Sequence, residues 1–153
     1  MCPRVLLLTC LAASSCKVSP PPVDAQATVQ FVFPGRGEVA PALVRRLAEA
    51  KGRRLMVYVS ATWCEPCERF HKAVERGELT GKLGRLDLVA FDAEMDAERL
   101  LMSGYEARMI PAFTVPGPDG RATAHHIEGG VSGEGAVADL VPRLLEILNA
   151  PAR

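Results

Sequence analysis

Two hydrophobic periods alternate along the chain, and together they predict its elements. Positions 28–33 (TVQFVF) alternate and are rich in β-formers, as a strand requires. Pro34-Gly35-Arg36-Gly37 reads as a turn. Over 41–50 the residues Leu43, Val44, Leu47 and Ala48 fall at helical spacing, and Gly52 ends the run. Positions 55–60 form an apolar run that predicts a buried strand. A helix is expected over about 64–76, with Phe70, Ala73 and Val74 on its inner face. A strand over 86–91, a helix over 97–105 and a strand over 112–115 follow. Pro116-Gly117-Pro118-Asp119-Gly120 is a turn leading to a partner strand over 122–127. After Gly129-Gly130, the residues Val137, Leu140, Val141, Leu144, Leu145 and Leu148 mark a terminal amphipathic helix. Pro142 falls inside that pattern and should kink or split it. No internal repeat is visible. The order βαβαβαββα predicts an α/β fold with a mixed central sheet flanked by helices.

The first residues follow neither period. Arg4 gives a short positive start, Val5 to Ala13 (VLLLTCLAA) is apolar, and Ala13-Ser14-Ser15 leads to Cys16. This is the layout of a secretory signal, too short to span a bilayer. Its ending resembles a bacterial lipoprotein signal, cleaved before a cysteine that then receives lipid. Ala13 stands where leucine is commonest in such signals. Cleavage by an ordinary signal peptidase is an alternative, and a start codon set too early in a cytosolic protein is another. Cys10 would leave a very short apolar segment. Residues 17–27 (KVSPPPVDAQA) are Pro-rich and read as an extended tether. The expected organisation is a signal over 1–15, a tether over 16–27 and a folded domain over 28–150. The expected location is extracytoplasmic or periplasmic, on a membrane through lipid at Cys16.

Composition sharpens this only in part. The 153 residues suit one domain, and an apolar fraction of 48% is ample for a core. Lys plus Arg and Asp plus Glu are 18 each, so net charge gives no sign of a nucleic-acid partner. Of five cysteines, Cys2 and Cys10 would leave with the signal and Cys16 would carry lipid. The free pair is then Cys64 and Cys67.

That pair sits in Trp63-Cys64-Glu65-Pro66-Cys67, between an apolar strand and a helix start. Two cysteines so spaced can close a small ring and reopen it without unravelling the fold. Unpaired N–H groups and the positive end of the helix macrodipole stabilise a thiolate at that position. Cys64 is the expected nucleophile, and Cys67, about one turn on, the resolving cysteine. Pro66 fits the first turn, where its missing N–H costs nothing. Glu65 is expected to be exposed and to oppose the thiolate slightly. A structural disulfide or half of a zinc site is the competing reading, but zinc needs more ligands and no second CxxC exists.

The element order, with WCxxC after the second strand and Ile110-Pro111 before the fourth, resembles the thioredoxin superfamily over about residues 28–149. The resemblance implies a thioredoxin fold with Pro111 cis and facing the cysteines. It implies that Ile110 offers backbone groups to a substrate chain. It also places Asp119-Gly120 at the hairpin turn and Gly129 in the substrate groove. Residues 61–67 (ATWCEPC) resemble exported reductases of cytochrome c maturation. Residues 68–74 (ERFHKAV) and 91–96 (FDAEMD) look more like the periplasmic C-terminal domain of transmembrane thiol-reductant transporters. Many members carry a buried Asp where this chain has Tyr58, and a phenol is a poor base at neutral pH. Glu65 or water then takes that role, or turnover is slower, while Tyr58 itself reads as core packing.

The remaining candidates are weighed on spacing. His71, four residues after Cys67, reads as a solvated helix residue. With Cys64 and Cys67 it could instead complete a metal-binding or metal-delivery site. His125 and His126 are adjacent in a strand, so one should be packed and one exposed. Trp63 reads as a groove wall, and Met95, Met102 and Met109 as core or loop. The expected activity is thiol:disulfide oxidoreduction, favouring reduction, with no resident cofactor or metal. Its expected partners are protein disulfides and a membrane electron donor, and the expected state is a monomer.

Overall fold

The computed structural model describes residues 28–37 and 39–151, and only the backbone of Pro41. The expected signal, the tether and Cys16 lie outside the described residues. Ten elements follow in order: β1 Val29–Val32, α1 Val39–Glu49, β2 Arg54–Ser60, α2 Glu65–Glu75, α3 Thr80–Leu83, β3 Leu86–Asp92, α4 Ala97–Met102, β4 Ala112–Pro116, β5 Ala122–Glu128 and α5 Ala136–Asn149. The sheet order is β1-β3-β2-β4-β5. The first three are parallel neighbours, β4 runs antiparallel to β2, and β5 antiparallel to β4. This mixed sheet covered by helices is the thioredoxin-type fold.

The pleat of the central strands explains the two layers. Met56 and Tyr58 of β2, with Leu86, Leu88 and Ala90 of β3, join Phe70, Ala73, Leu140 and Leu144 from α2 and α5. Leu55, Val57 and Val59, with Val89 and Phe91, face the opposite way onto Val39, Leu43 and Leu100 from α1 and α4. A near-continuous apolar run such as residues 55–59 is what a strand covered on both faces needs.

Three differences from the expected elements have physical reasons. The short α3 was not expected; Thr80-Gly81-Lys82-Leu83 is too brief to show a period, and only Leu83 is buried. Helix α4 stops at Met102, and Tyr105 leaves it to donate a hydrogen bond to the Gly120 carbonyl at 2.9 Å. Pro142 does not split α5, which runs unbroken over 136–149. Pro142 and Ala138, whose carbonyl loses its N–H partner, both lie on the exposed face, where water can take that place. The hairpin turn at Gly120 has φ +74°, and a Cβ there would come within 2.2 Å of the Ala40 carbonyl oxygen. Glycine is required at that position.

At the end of the sheet away from the cysteines, Arg53 Nε meets Asp87 Oδ1 at 2.5 Å, with side chains only 13% and 12% exposed. Gln30 donates to the same carboxylate oxygen at 2.8 Å, and Arg53 reaches the Thr28 and Leu86 carbonyls at 2.7 and 3.2 Å. The cluster ties β1 and β3 to the segment entering β2. Asp87→Ala would leave a nearly buried guanidinium without its carboxylate. Urea unfolding should then show a loss of about 3 kcal/mol. A loss within the roughly 0–1 kcal/mol of a solvated pair would contradict this view of the cluster.

Candidate functional site: the Cys64–Cys67 pair

Strand β2 ends at Ser60, and a short turn through Trp63 delivers Cys64 to the start of α2. Cys64 is the N-cap, with extended backbone (φ −83°, ψ 104°), and its sulfur accepts the Cys67 N–H at 3.3 Å. This is the place a Ser or Asp oxygen takes in an ordinary cap. Pro66 lies in the first turn, where its missing N–H breaks no helical bond. The two sulfurs are bonded, with S–S 2.02 Å and Cα–Cα 5.2 Å. Both residues are almost wholly buried, at 4% and 2% exposure. Once the bond opens, the Cys64 sulfur sits at a helix N-terminus, a setting that favours the thiolate.

Glu65 keeps an exposed side chain, as expected, but it has partners the sequence did not show. Its carboxylate pairs with Arg69 one turn on and accepts the Gly133 N–H at 3.1 Å. The Arg69 guanidinium, and then the Gly133 N–H, hold its carboxyl below the usual range. Its charge is therefore met locally instead of acting freely on Cys64, and it tethers α2 to the loop entering α5. The carboxylate is committed to those bonds, which argues against the expectation that it serves as a base.

The Ile110–Pro111 bond is cis, and the Pro111 carbonyl accepts the Gly129 N–H at 2.9 Å. Trp63, Ile110 and Gly129 line one groove of about 650 Å³, together with Met109, Val131 and Arg143. Trp63 is 67% exposed, and its indole N–H donates to Glu94 at 2.9 Å, so it forms a wall and not a core contact. Gly129 has φ +67°, and a Cβ there would lie 3.5 Å from the Met109 side chain. Arg143 was not singled out from the sequence. It donates to the Gly129 and Glu128 carbonyls at 2.9 and 2.8 Å and to Asp139 at 2.9 Å, fixing the groove floor to α5. The Asp139–Arg143 spacing of four was its only signal.

His71 is not the solvated residue expected. It is partly buried, stacked on Phe31 with centroids 4.2 Å apart, and 5.4 Å from the Tyr58 ring. Burial lowers its imidazole pKa, which Glu75 partly offsets. Among the described residues no three His, Cys, Asp or Glu side chains are placed to hold a metal ion. His125 is partly buried and His126 exposed, as the strand period requires. Met95, Met102 and Met109 are all exposed, so none belongs to the core. Met95 and Met109 lie in connecting segments and Met102 ends α4.

No protein-family model matches the chain, and no curated protein matches it. Among solved structures it is similar to a thioredoxin from Trichomonas vaginalis. The two share 21% identity and a TM-score of 0.49, over 81% of this chain and 97% of that one.

Tyr58 is core, as expected. Its ring stacks on Phe113 at 4.8 Å and tilts against Phe70 and Phe31. Among the described residues its buried hydroxyl has no hydrogen-bond partner. Tyr58→Phe should leave stability unchanged or raise it by about 1 kcal/mol, since an unpaired buried hydroxyl is removed. Thiol reactivity should not change; a slower variant would give the phenol a chemical role. Burial raises the pKa of both tyrosines, Tyr58 and Tyr105, and Asp119 raises that of Tyr105 further. The folded state therefore keeps phenolic protons that the unfolded state loses from about pH 10. This contribution is full below that pH and declines above it. Ultraviolet phenolate absorbance should rise only together with alkaline unfolding.

Proposed function

We propose that the chain is a thiol:disulfide oxidoreductase that works as a reductase of protein disulfides. The observation that carries the reading is a closable Cys64–Cys67 pair capping a helix in a thioredoxin-type fold. In the reduced protein the Cys64 thiolate attacks one sulfur of a substrate disulfide. That disulfide breaks, and the first substrate thiolate leaves with its electron pair. Cys67, deprotonated, then attacks the Cys64 sulfur of the mixed disulfide. The second substrate thiolate leaves, and two electrons have passed from the pair to the substrate. Ile110 presents backbone groups to the substrate chain, Pro111 shapes the site, and Trp63 and Gly129 bound the groove. The preference for reduction rests on the resemblance of Pro66 and Ile110 to thioredoxin-like reductases.

In this reading the protein is an exported monomer, held at the membrane by lipid on Cys16. The sequence contains no nicotinamide or flavin motif, so a membrane donor would return the pair to the dithiol. Protein disulfides are the substrates. Insulin reduction with dithiothreitol as donor tests the central step. The wild type should accelerate it, Cys64→Ser should abolish the acceleration, and Cys67→Ser should trap a mixed disulfide visible by mass spectrometry. Full activity in Cys64→Ser would overturn the assignment.

A further inference from the structure

Resolution of a mixed disulfide needs a base, because Cys67 must lose its proton before it attacks. Cys67 is almost wholly buried, so that proton needs a route and an acceptor. Cys67 lines a second cleft, of about 600 Å³, bordered by Ser60, Ala61 and His71 and separate from the groove of Trp63. The cleft's size and the Ser60, Thr62, Asp92 and Asp96 side chains on its walls admit water.

The groups around it differ in their freedom to accept a proton. Asp92 Oδ1 accepts the Glu94 and Met95 N–H groups, each at 2.9 Å. Asp96 pairs with Arg99 and accepts the Asp92 N–H. Glu68 pairs with Lys72 at 2.5 Å. The Tyr58 phenol, buried among rings, is no base at neutral pH. His71 differs from all of these. It lies four residues after Cys67 on α2, the spacing that puts both on one side of a helix. Its ring is held by stacking on Phe31, and among the described residues its nitrogens have no hydrogen-bond partner.

We propose that His71 accepts the Cys67 proton, through water in this cleft, as Cys67 attacks the mixed disulfide. The inference rests on the oxidoreductase reading of the same pair. The Cys67 S–H bond breaks, and its electron pair forms the Cys64–Cys67 bond. The substrate thiolate leaves with the electrons of the mixed disulfide, and the proton passes from His71 to solvent. Burial favours the neutral imidazole, the form that accepts. The charged and titratable groups facing it are Glu68 and Glu75 from its own helix, Tyr58 from β2, and Arg36 from the loop after β1. Asp92, Asp96 and Arg99 face it across the cleft. Glu75 steadies the imidazolium once it forms.

The test is stopped-flow reaction of the reduced full chain with an aromatic disulfide, 5,5′-dithiobis(2-nitrobenzoate). The first aryl thiolate reports the mixed disulfide, and the second reports its resolution. His71→Phe keeps a ring beside Phe31 and removes the base. It should slow the second release about tenfold or more at pH 7, near or below the usual range for a directly bonded general base. The wild-type rate should fall in acid around a pKa below that of ordinary histidine, and this limb should vanish in the variant. Added imidazole should restore the second release in His71→Ala. A wild-type rate in His71→Phe would overturn the proposal, as would slowing that imidazole fails to reverse. If the wild type released one thiolate and never a second, the oxidoreductase reading itself would fall, and the role of His71 with it.

Discussion

The first turn of α2 is the constraint on which the rest depends. A sulfur can serve as its N-cap only if β2 ends close to the helix start and the turn between them is short. Residues 61–63 meet that requirement, and the Cys67 N–H then points at the Cys64 sulfur. The helix must also be held firmly, because the ring between the cysteines spans its first turn. Phe70 and Ala73 anchor its inner face in the core. Truncating a buried Phe of this kind costs about 3–5 kcal/mol. The Glu65 carboxylate fixes the outer face to Gly133. The Cys64–Cys67 disulfide thus lies on a helix end secured from two sides.

Two clefts border the turn that leads to Cys64: Ala61 and Thr62 line one and Trp63 the other. Trp63, Met109, Ile110 and Gly129 line the second, with Glu128 and Arg143 beside them. Cys67, Ser60 and His71 line the first, with Asp92, Asp96 and Arg99. In the functional reading argued above, substrate uses the second and protons use the first. Tyr58 lies in the core behind His71, and among the described residues its hydroxyl has no hydrogen-bond partner.

Much of the fold was legible because its signals are local. The alternation over 28–33 and the apolar run over 55–60 gave their strands to within a residue. The helical spacing of Leu140, Val141 and Leu144 gave α5. The CxxC between a strand and a helix start gave the bonded Cys64–Cys67 pair, and the resemblance gave the cis Ile110–Pro111 bond. What escaped depends on contacts between distant residues. Phe31 and His71 meet across β1 and α2, and no local pattern of residues 68–74 distinguishes that histidine from a solvated one. Glu65 and Gly133 are 68 positions apart. The solvent-facing placement of Pro142 emerges only when α5 is packed, so its tolerance could not be read from the proline alone. Helix α3 is one turn long, shorter than any period can register.

The direction of electron flow is the claim on which the functional account stands. It is tested most directly by the equilibrium reduction potential of the Cys64–Cys67 pair in a graded dithiothreitol series. A value near the thioredoxin end of the range, about −270 mV, is the result the account predicts. A value near the strongly oxidising end, about −120 mV, would contradict it and make the pair a donor of disulfides.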